Sequence, residues 1–338
     1  MAMVVVAMVV VAMVGTTVLV GGAAGTASAG APSPSPTAWV ATGATARQPG
    51  DRVVPVDLRR HRAETAVTTG SEPSAMALAG GGRWLLVADQ GVDRLSIVGT
   101  ANHRVVAQVG VGLEPDALAV APGGRGRLGT ALVANFGDGT LTPVDLGTRR
   151  AGHPVPVGSE PDAVAVAPHG PGGVPTAVVA NFSSGTVTLV NLSTMQVSAV
   201  LAVGTEPDAL AVVNQPLSGD IVLVGDFGSN TVTPVDLSTS SVEPSITVGG
   251  NPTAMAVAPG GAATWVAGGA SLTPIATGTL AAGPPVALPD PAETVVLHGK
   301  TAWVGTPGGS LLPVSLPGGH VGRPLALGTP PAAAVITG

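Results

Sequence analysis

The chain of 338 residues contains no cysteine and no tyrosine, three phenylalanines, four tryptophans and a single lysine. The absence of cysteine excludes disulfide bonds, thiolate catalysis and metal sites built on thiolates. Charged residues make up 10% of the chain and the net charge is −6. This mildly acidic balance does not favour binding to nucleic acid, and we expect no nucleic-acid partner. With so few aromatic rings, a hydrophobic core has to be built from Ala, Val and Leu.

Glycine and proline, in contrast, are abundant, with 49 and 32 copies. This density disfavours long helices, because both residues destabilise helix interiors. Glycine and proline without a pattern would indicate disorder. A hydrophobic content of 45% and the small net charge indicate a folded chain instead.

The N-terminal segment, residues 1–29, begins with about 20 apolar or small residues without a charged side chain and ends in A-S-A. This pattern is typical of an export signal with a cleavage site, although the basic residues that usually precede the apolar run are missing. The run is also long enough for an uncleaved membrane anchor. Residues 30–37 form a Pro/Ser linker. Both alternatives place residues 38–338 outside the cytoplasm, secreted or in the cell envelope, with membrane contact only through an uncleaved N-terminal segment.

A motif of the form G-x-E-P-D-A-x-A repeats along the chain. Its strongest copies begin at Gly70, Gly112, Gly158 and Gly204. The prolines that anchor the strong and the weaker copies follow one another at intervals of 39 to 46 residues, which is the period of a four-stranded propeller blade. These prolines are Pro73, Pro115, Pro161, Pro207, Pro252, Pro291 and Pro331.

Each repeat predicts four short strands separated by turn residues. In the third repeat the predicted strands are Ala117–Ala121, Ala131–Asn135, Thr140–Asp145 and His153–Val157. Residues 38–70 supply only the last three strands of a repeat, and residues 331–337 supply a lone first strand. Pairing the two ends leaves no open edge in the ring. The sequence therefore predicts an all-β fold, a seven-bladed β-propeller of four-stranded antiparallel blades closed by the C-terminal strand.

Two stretches show the repeat most fully: LVANFGDGTLTPVD from Leu132 and LVGDFGSNTVTPVD from Leu223. They resemble the YVTN repeat of the surface-layer and YncE-like seven-bladed propellers, approximately YVTNxGSNTVSVID followed by VGxxPxxVAVSPDG. The segment from Gly158 to Pro168 is similar to the second half. The resemblance extends over residues 38–338, although Leu, Val or Trp occupies the tyrosine position. That family has no common reaction, so the resemblance implies a binding or scaffold role and no catalytic residues.

The acidic residues of the repeated motif define a candidate site, because equivalent positions of adjacent blades form an arc at the mouth of the channel. Carboxylates in such an arc suit a hard cation such as Ca²⁺, or a cationic ligand. In the alternative, structural interpretation, proline fixes the entry to the first strand and the acids accept hydrogen bonds in the turn. The candidate residues are Glu72, Glu114, Asp116, Glu160, Asp162, Glu206 and Asp208.

Three phenylalanines, Phe136, Phe182 and Phe227, occupy equivalent loop positions in consecutive repeats. If they point outward, they form an apolar contact surface beside the acids for a protein or a glycan. If they point inward, they pack between blades. Both alternatives are open from the sequence.

We therefore expect a monomeric, exported, non-catalytic binding or scaffold module of the cell envelope, whose partner is an envelope protein, a glycan or a small ligand. Ca²⁺ is the one cofactor that the acidic arc suggests. The alternative is a lactonase-like or lyase-like propeller enzyme with a carboxylate-lined, cation-dependent site at the channel mouth. The six histidines are spread over separate repeats, so they do not suggest a shared catalytic centre.

Overall fold

Short strands separated by glycine-rich and proline-rich turns make up the computed structural model, which describes residues 37–42, 50–57, 60, 62–123, 128–215, 219–316, 318–326 and 331–337. The predicted export signal or membrane anchor, residues 1–29, and all of the predicted linker except Thr37 lie outside these residues. Two 3₁₀ turns, Gln90–Val92 and Pro171–Gly173, are the helical segments of the described ranges. None of the helices found there is long and apolar enough to cross a membrane.

The strands form seven antiparallel sheets, which we number as blades in chain order. Blade 1 contains Thr37–Thr42, Arg52–Asp57, Arg62–Ala63 and Val67–Thr68, together with Pro331–Thr337. Blade 2 contains Pro73–Ala79, Trp84–Asp89, Arg94–Gly99 and Arg104–Gly110. Blade 3 contains Pro115–Ala121, Thr130–Asn135, Thr140–Asp145, Arg150–Ala151 and Val155–Pro156.

The remaining four blades repeat this order. Blade 4 contains Pro161–Ala167, Thr176–Asn181, Thr186–Asn191 and Gln196–Ala202. Blade 5 contains Pro207–Val213, Ile221–Asp226, Thr231–Asp236, Ser241–Val242 and Ile246–Thr247. Blade 6 contains Pro252–Val257, Ala263–Gly268, Ser271–Ala276, Ala281–Ala282 and Val286–Ala287. Blade 7 contains Thr294–His298, Thr301–Thr306, Ser310–Ser315, His320–Val321 and Leu325–Ala326.

The two ends of the described chain meet in blade 1. The strand Pro331–Thr337 pairs antiparallel with Thr37–Thr42, with Thr337 opposite Thr37 and Val335 opposite Trp39. The first strands of the seven blades then follow one another around the ring, and that of blade 7 lies beside Pro331–Thr337. The predicted seven-bladed propeller with four-stranded antiparallel blades is thereby confirmed.

The fourth strand differs from the prediction. In blade 3 the strand expected at His153–Val157 is split into Arg150–Ala151 and Val155–Pro156, both paired with the third strand. Pro154 lies in the gap and has no N–H group for the ladder, which is tolerated because this strand is the outer edge of its blade. Four of the five split fourth strands carry proline in the gap, whereas the continuous fourth strands of blades 2 and 4 contain none.

The position that corresponds to the tyrosine of the YVTN repeat is a core position in every blade. The residues there are at most 7% exposed, so each fills the space between sheets with an aliphatic chain or an indole ring. They are Trp39, Leu86, Leu132, Val178, Leu223, Trp265 and Trp303. Three of the four tryptophans therefore compensate for the scarcity of other aromatic residues, in blades 1, 6 and 7.

A buried asparagine or aspartate ends the second strand of blades 2 to 5. Asn135 in blade 3 shows its role: Oδ1 accepts the N–H of Gly112 at 3.1 Å, and Nδ2 donates to the Thr142 hydroxyl at 2.8 Å. The side chain thus ties the loop that enters the blade to the third strand. The four residues at this position, Asp89, Asn135, Asn181 and Asp226, are fully buried.

Candidate functional site

The residue after the motif proline lies in a β-bulge at the start of the first strand in blades 2 to 6. A bulge leaves this residue without a partner in the ladder and turns its side chain out of the regular alternation. The five bulge residues are Ser74, Asp116, Asp162, Asp208 and Thr253. The three aspartates in this series belong to the predicted acidic arc.

The outer members of the series bond across the boundary between blades. The Ser74 hydroxyl donates to the carbonyl oxygen of Pro115 at 2.8 Å, and the Thr253 hydroxyl donates to that of Ala292 at 2.9 Å. The bulge position therefore reaches the next blade around the ring. A neutral hydroxyl suits it because it always carries a proton to donate.

The three aspartates form a chain of carboxyl groups, which we call the carboxyl chain. Their exposure is 1% for Asp116, 1% for Asp162 and 5% for Asp208. The Asp162 side chain forms hydrogen bonds with Asp116 on one side and Asp208 on the other. Two carboxyl groups form such a bond only when one of them carries the proton.

Burial is the main cause that raises the pKa of all three carboxyls. The hydrogen bond with Asp162 and its charge raise the pKa of Asp116 and Asp208 further. The bonds from both neighbours favour the charged form of Asp162 and oppose part of its rise. These bonds favour the protonated forms of Asp116 and Asp208 and place negative charge preferentially on Asp162.

The motif glutamates have a backbone conformation that is uncommon outside glycine. Their φ angles lie between 50° and 54°, in the left-handed region. Each glutamate carbonyl accepts the N–H of a residue in the loop between the second and third strands of the same blade. The four glutamates are Glu72, Glu114, Glu160 and Glu206, and the corresponding donors are Gln90, Phe136, Phe182 and Phe227.

The residue at this donor position differs between blade 2 and blades 3 to 5. Blades 3, 4 and 5 have phenylalanine at this position, and all three rings are half-buried, so neither the fully outward nor the fully packed arrangement describes them. Blade 2 has Gln90 instead, whose Nε2 donates to Asp116 Oδ1 across the blade boundary at 3.2 Å. The end of the carboxyl chain thus faces a polar amide rather than an aromatic ring at this position.

A cavity of 510 Å³ lies beside Gln90, between blades 2 and 3. Its volume falls in the range of small-molecule sites. We call it the blade 2–3 cleft; the residues that line it are Glu72, Gln90, Gly91, Asp93, Leu113, Glu114, Asp116 and Phe136. Four carboxyl groups and two apolar side chains therefore face one space.

The structure gathers part of the predicted site. Glu72, Glu114 and Asp116 line the cleft, and Asp162 and Asp208 continue from Asp116 in the carboxyl chain. Glu160 and Glu206 hold the equivalent positions in blades 4 and 5 and are not part of the cleft lining. Among the described residues, no group of three or more His, Asp or Glu side chains is arranged to hold a metal ion.

Sequence reasoning missed four residues of the cleft: Gln90, Gly91, Asp93 and Leu113. Asp93 Oδ1 accepts the N–H of Glu114 at 2.8 Å and so joins blade 2 to the loop that enters blade 3. Leu113 is 55% exposed, and its N–H is held by Asp138 Oδ2 at 3.1 Å. The sequence signal was present at Gln90, since it replaces the phenylalanine of three other repeats.

No family model and no curated protein matches the chain. Solved structures with the same fold include a functionally unknown protein from Desulfotomaculum acetoxidans DSM 771, with a TM-score of 0.74 and 14% identity over 89% of this chain and 98% of that one. Kuenenia stuttgartiensis hydrazine synthase has a TM-score of 0.65 and 18% identity, over 83% of this chain and 90% of that one. Dihydro-heme d1 dehydrogenase NirN in complex with DHE has a TM-score of 0.62 and 17% identity, over 86% of this chain and 63% of that one. At such identities the likeness shows the fold alone.

Proposed function

We propose that this protein is an exported, non-catalytic binding or scaffold module of the cell envelope, related to the YVTN-repeat propellers. The observation that carries the binding role is the blade 2–3 cleft, where four carboxyl groups and two apolar side chains line 510 Å³. The partner is an envelope protein, a glycan or a small ligand, and the acidic mouth of the propeller is the surface that meets it. Export rests on the pattern of residues 1–29.

The cleft suits binding because its polar groups are nearly all acceptors. Glu72, Glu114 and Asp93 contribute carboxylates, and the amide of Gln90 is already directed at Asp116. Among the residues that the structure describes, neither histidine, lysine nor arginine is part of the lining of the cleft. A concave site of this kind holds a ligand by charge and shape without a nucleophile and base pair.

A second function, an enzyme of the lactonase or lyase kind, is favoured by one observation. Asp116 lines the cleft and burial raises its pKa, and a carboxyl group with a raised pKa in a cleft is a candidate general acid or base. In this alternative Asp116 would exchange its proton with a substrate in the cleft, and Asp162 would accept or return the proton along the carboxyl chain.

The full chain with a C-terminal tag, expressed in a Gram-negative host and fractionated, tests the export proposal. We expect the protein in the periplasm or the medium, with mass spectrometry showing an N-terminus after residue 29, or in the membrane fraction if the segment is retained. A wholly cytoplasmic protein would contradict it.

Immobilised protein incubated with envelope extract tests the binding role, with the Glu72→Gln/Glu114→Gln double variant as the matched control. We expect a ligand retained by the unchanged protein and lost by the variant. Turnover of a lactone panel that disappears in Asp116→Asn would instead support the enzyme.

A further inference from the structure

We propose that the blade 2–3 cleft binds an organic cation, a primary ammonium or guanidinium group carried on an apolar stem. This inference rests on the proposed binding function and names the chemistry of its ligand. Glu72 and Glu114 hold the positive group, and Leu113 and Phe136 contact the stem.

The carboxylates of Glu72 and Glu114 lack a hydroxyl donor that the equivalent glutamate of blade 4 has. In blade 4 the Ser183 hydroxyl donates to the Glu160 carboxylate. The residues at the position of Ser183 in blades 2 and 3 are Gly91 and Gly137, which have no hydroxyl to offer. The carboxylates of Glu72 and Glu114 therefore keep their acceptor capacity for a ligand.

The buried carboxyl group of the cleft is already engaged by the protein. Asp116 Oδ1 accepts the amide of Gln90, and the Asp116 side chain is bonded to Asp162 in the carboxyl chain. The positive group of a ligand therefore meets the carboxylate oxygens of Glu72 and Glu114, which line the same cavity. An ammonium group offers three donors and a guanidinium group five, in line with the several acceptors here.

The apolar side of the cleft is fixed before any ligand arrives. Leu113 is held through its N–H by Asp138, and the N–H of Phe136 is held by the carbonyl oxygen of Glu114 at 2.9 Å. An exposed leucine beside a half-buried ring offers a surface that an aliphatic or aromatic stem covers favourably.

The spacing of the carboxylates favours a bulky cation over a hard ion. Ca²⁺ requires six to eight oxygen atoms at about 2.3–2.6 Å from a single point. The acidic groups of the described residues do not converge in sets of three suited to a metal ion, whereas they share a cavity of 510 Å³. A molecular cation with its own stem fills such a volume.

Isothermal titration of the purified protein with hexylammonium chloride at pH 7.5 tests the inference, with hexan-1-ol as the uncharged probe and CaCl₂ as the hard-ion probe. We expect saturable binding of hexylammonium and at least tenfold weaker binding of hexan-1-ol. Glu72→Gln and Glu114→Gln should each weaken hexylammonium binding at least fivefold. Gln90→Phe, which installs the residue of blades 3 to 5, should abolish it. Glu206→Gln, at the equivalent position outside the cleft, should change it less than twofold.

Three outcomes would overturn the inference. They are no saturable hexylammonium binding, equal weakening by Glu206→Gln and Glu72→Gln, or Ca²⁺ uptake that hexylammonium does not displace. Glutamine is nearly isosteric with glutamate, and the control is that each variant has the circular dichroism spectrum and melting temperature of the unchanged protein. Because export and retention of an envelope ligand are measured separately, failure of this titration leaves the proposed function standing on its own tests.

Discussion

The hydroxyl group of Ser74 in blade 2 donates to the carbonyl oxygen of Pro115 in blade 3 at 2.8 Å. Thr253 bonds across the boundary between blades 6 and 7 in the same way. Between them, blades 3 to 5 carry aspartate at the same bulge. A carboxyl group donates a hydrogen bond only while it is protonated, so this sector of the ring depends on pH where the hydroxyl sectors do not.

Stability should fall as the pH rises. Burial raises the pKa of Asp116, Asp162 and Asp208, so the folded protein holds protons that the unfolded chain releases near its ordinary pKa of about 3.9. Since the native state binds more protons, the free energy of unfolding decreases from about pH 4 through the raised native pKa values, by about 1.4 kcal/mol per pH unit for each retained proton. Urea denaturation between pH 4 and 8 measures this slope. The raised pKa values of Asp89, Asp226 and Glu293, also caused mainly by burial, act with the same sign.

Asp162→Asn isolates the contribution of the carboxyl chain. Asparagine is neutral at every pH and can both donate and accept, so the slope should flatten and the free energy of unfolding at pH 8 should rise by about 1 to 3 kcal/mol. Asp290→Asn changes an exposed carboxylate and should leave the slope as it is. An Asp162→Asn protein with the slope of the unchanged protein would show that the three carboxyls are not coupled.

Replacing Asn135 by alanine should destabilise blade 3. The change leaves the N–H of Gly112 and the hydroxyl of Thr142 without their buried partner. Each such group costs about 1 to 3 kcal/mol, so we expect a total loss of at least about 2 kcal/mol in urea denaturation.

Asn135→Asp is the matched control. Aspartate occupies this position in blades 2 and 5, where Asp89 accepts the Ser96 hydroxyl and Asp226 accepts the Thr233 hydroxyl, both at 2.5 Å. The acid variant should therefore lose less stability than the alanine variant. The hydrogen-bonding role would be wrong if the two variants were equally destabilised.

The propeller ring could be predicted because the repeat period is set by residues that have the same structural position in each blade. Pro115 enters the first strand, Leu132 fills the core, and Asn135 ends the second strand. The split fourth strand was missed because a repeat of four strands says nothing about Pro154, which interrupts the outer edge.

The candidate site was predicted in part, because a repeat reveals what recurs. The motif acids recur and were found, whereas the cleft lies where the pattern changes, at Gln90. The contact between Asp116 and Asp162 depends on the direction in which the bulge turns each side chain, and that direction follows from the strand pairing rather than from the spacing of residues.

Asp220, in the loop between the first two strands of blade 5, is bonded to His169 in the corresponding loop of blade 4. Its carboxylate is fully buried and accepts the N–H groups of His169 at 2.8 Å and Gln215 at 2.9 Å. Asp220→Ala removes both acceptors and should lower the free energy of unfolding by about 2 to 4 kcal/mol. His169→Ala keeps the backbone bond and loses only the contact of a partly exposed ring, so it should cost less than about 1 kcal/mol. Equal losses in urea denaturation would assign the link to the ring instead.

Removing residues 331–338 should destabilise all seven blades, because the strand Pro331–Thr337 pairs along the whole of Thr37–Thr42. Its loss exposes an unpaired edge beside Ala38, Trp39 and Val40, which are at most 1% exposed in the closed ring. We expect the melting temperature to fall by roughly 10 °C or more, since a change of 1 kcal/mol already shifts it by about 2 °C in a chain of this size. Deleting Gly338 alone should leave it unchanged. A synthetic peptide of residues 329–338 added in trans should restore part of the loss by adding the missing strand. A truncated protein with the original melting temperature would show that the strand pairing in blade 1 does not hold the ring closed.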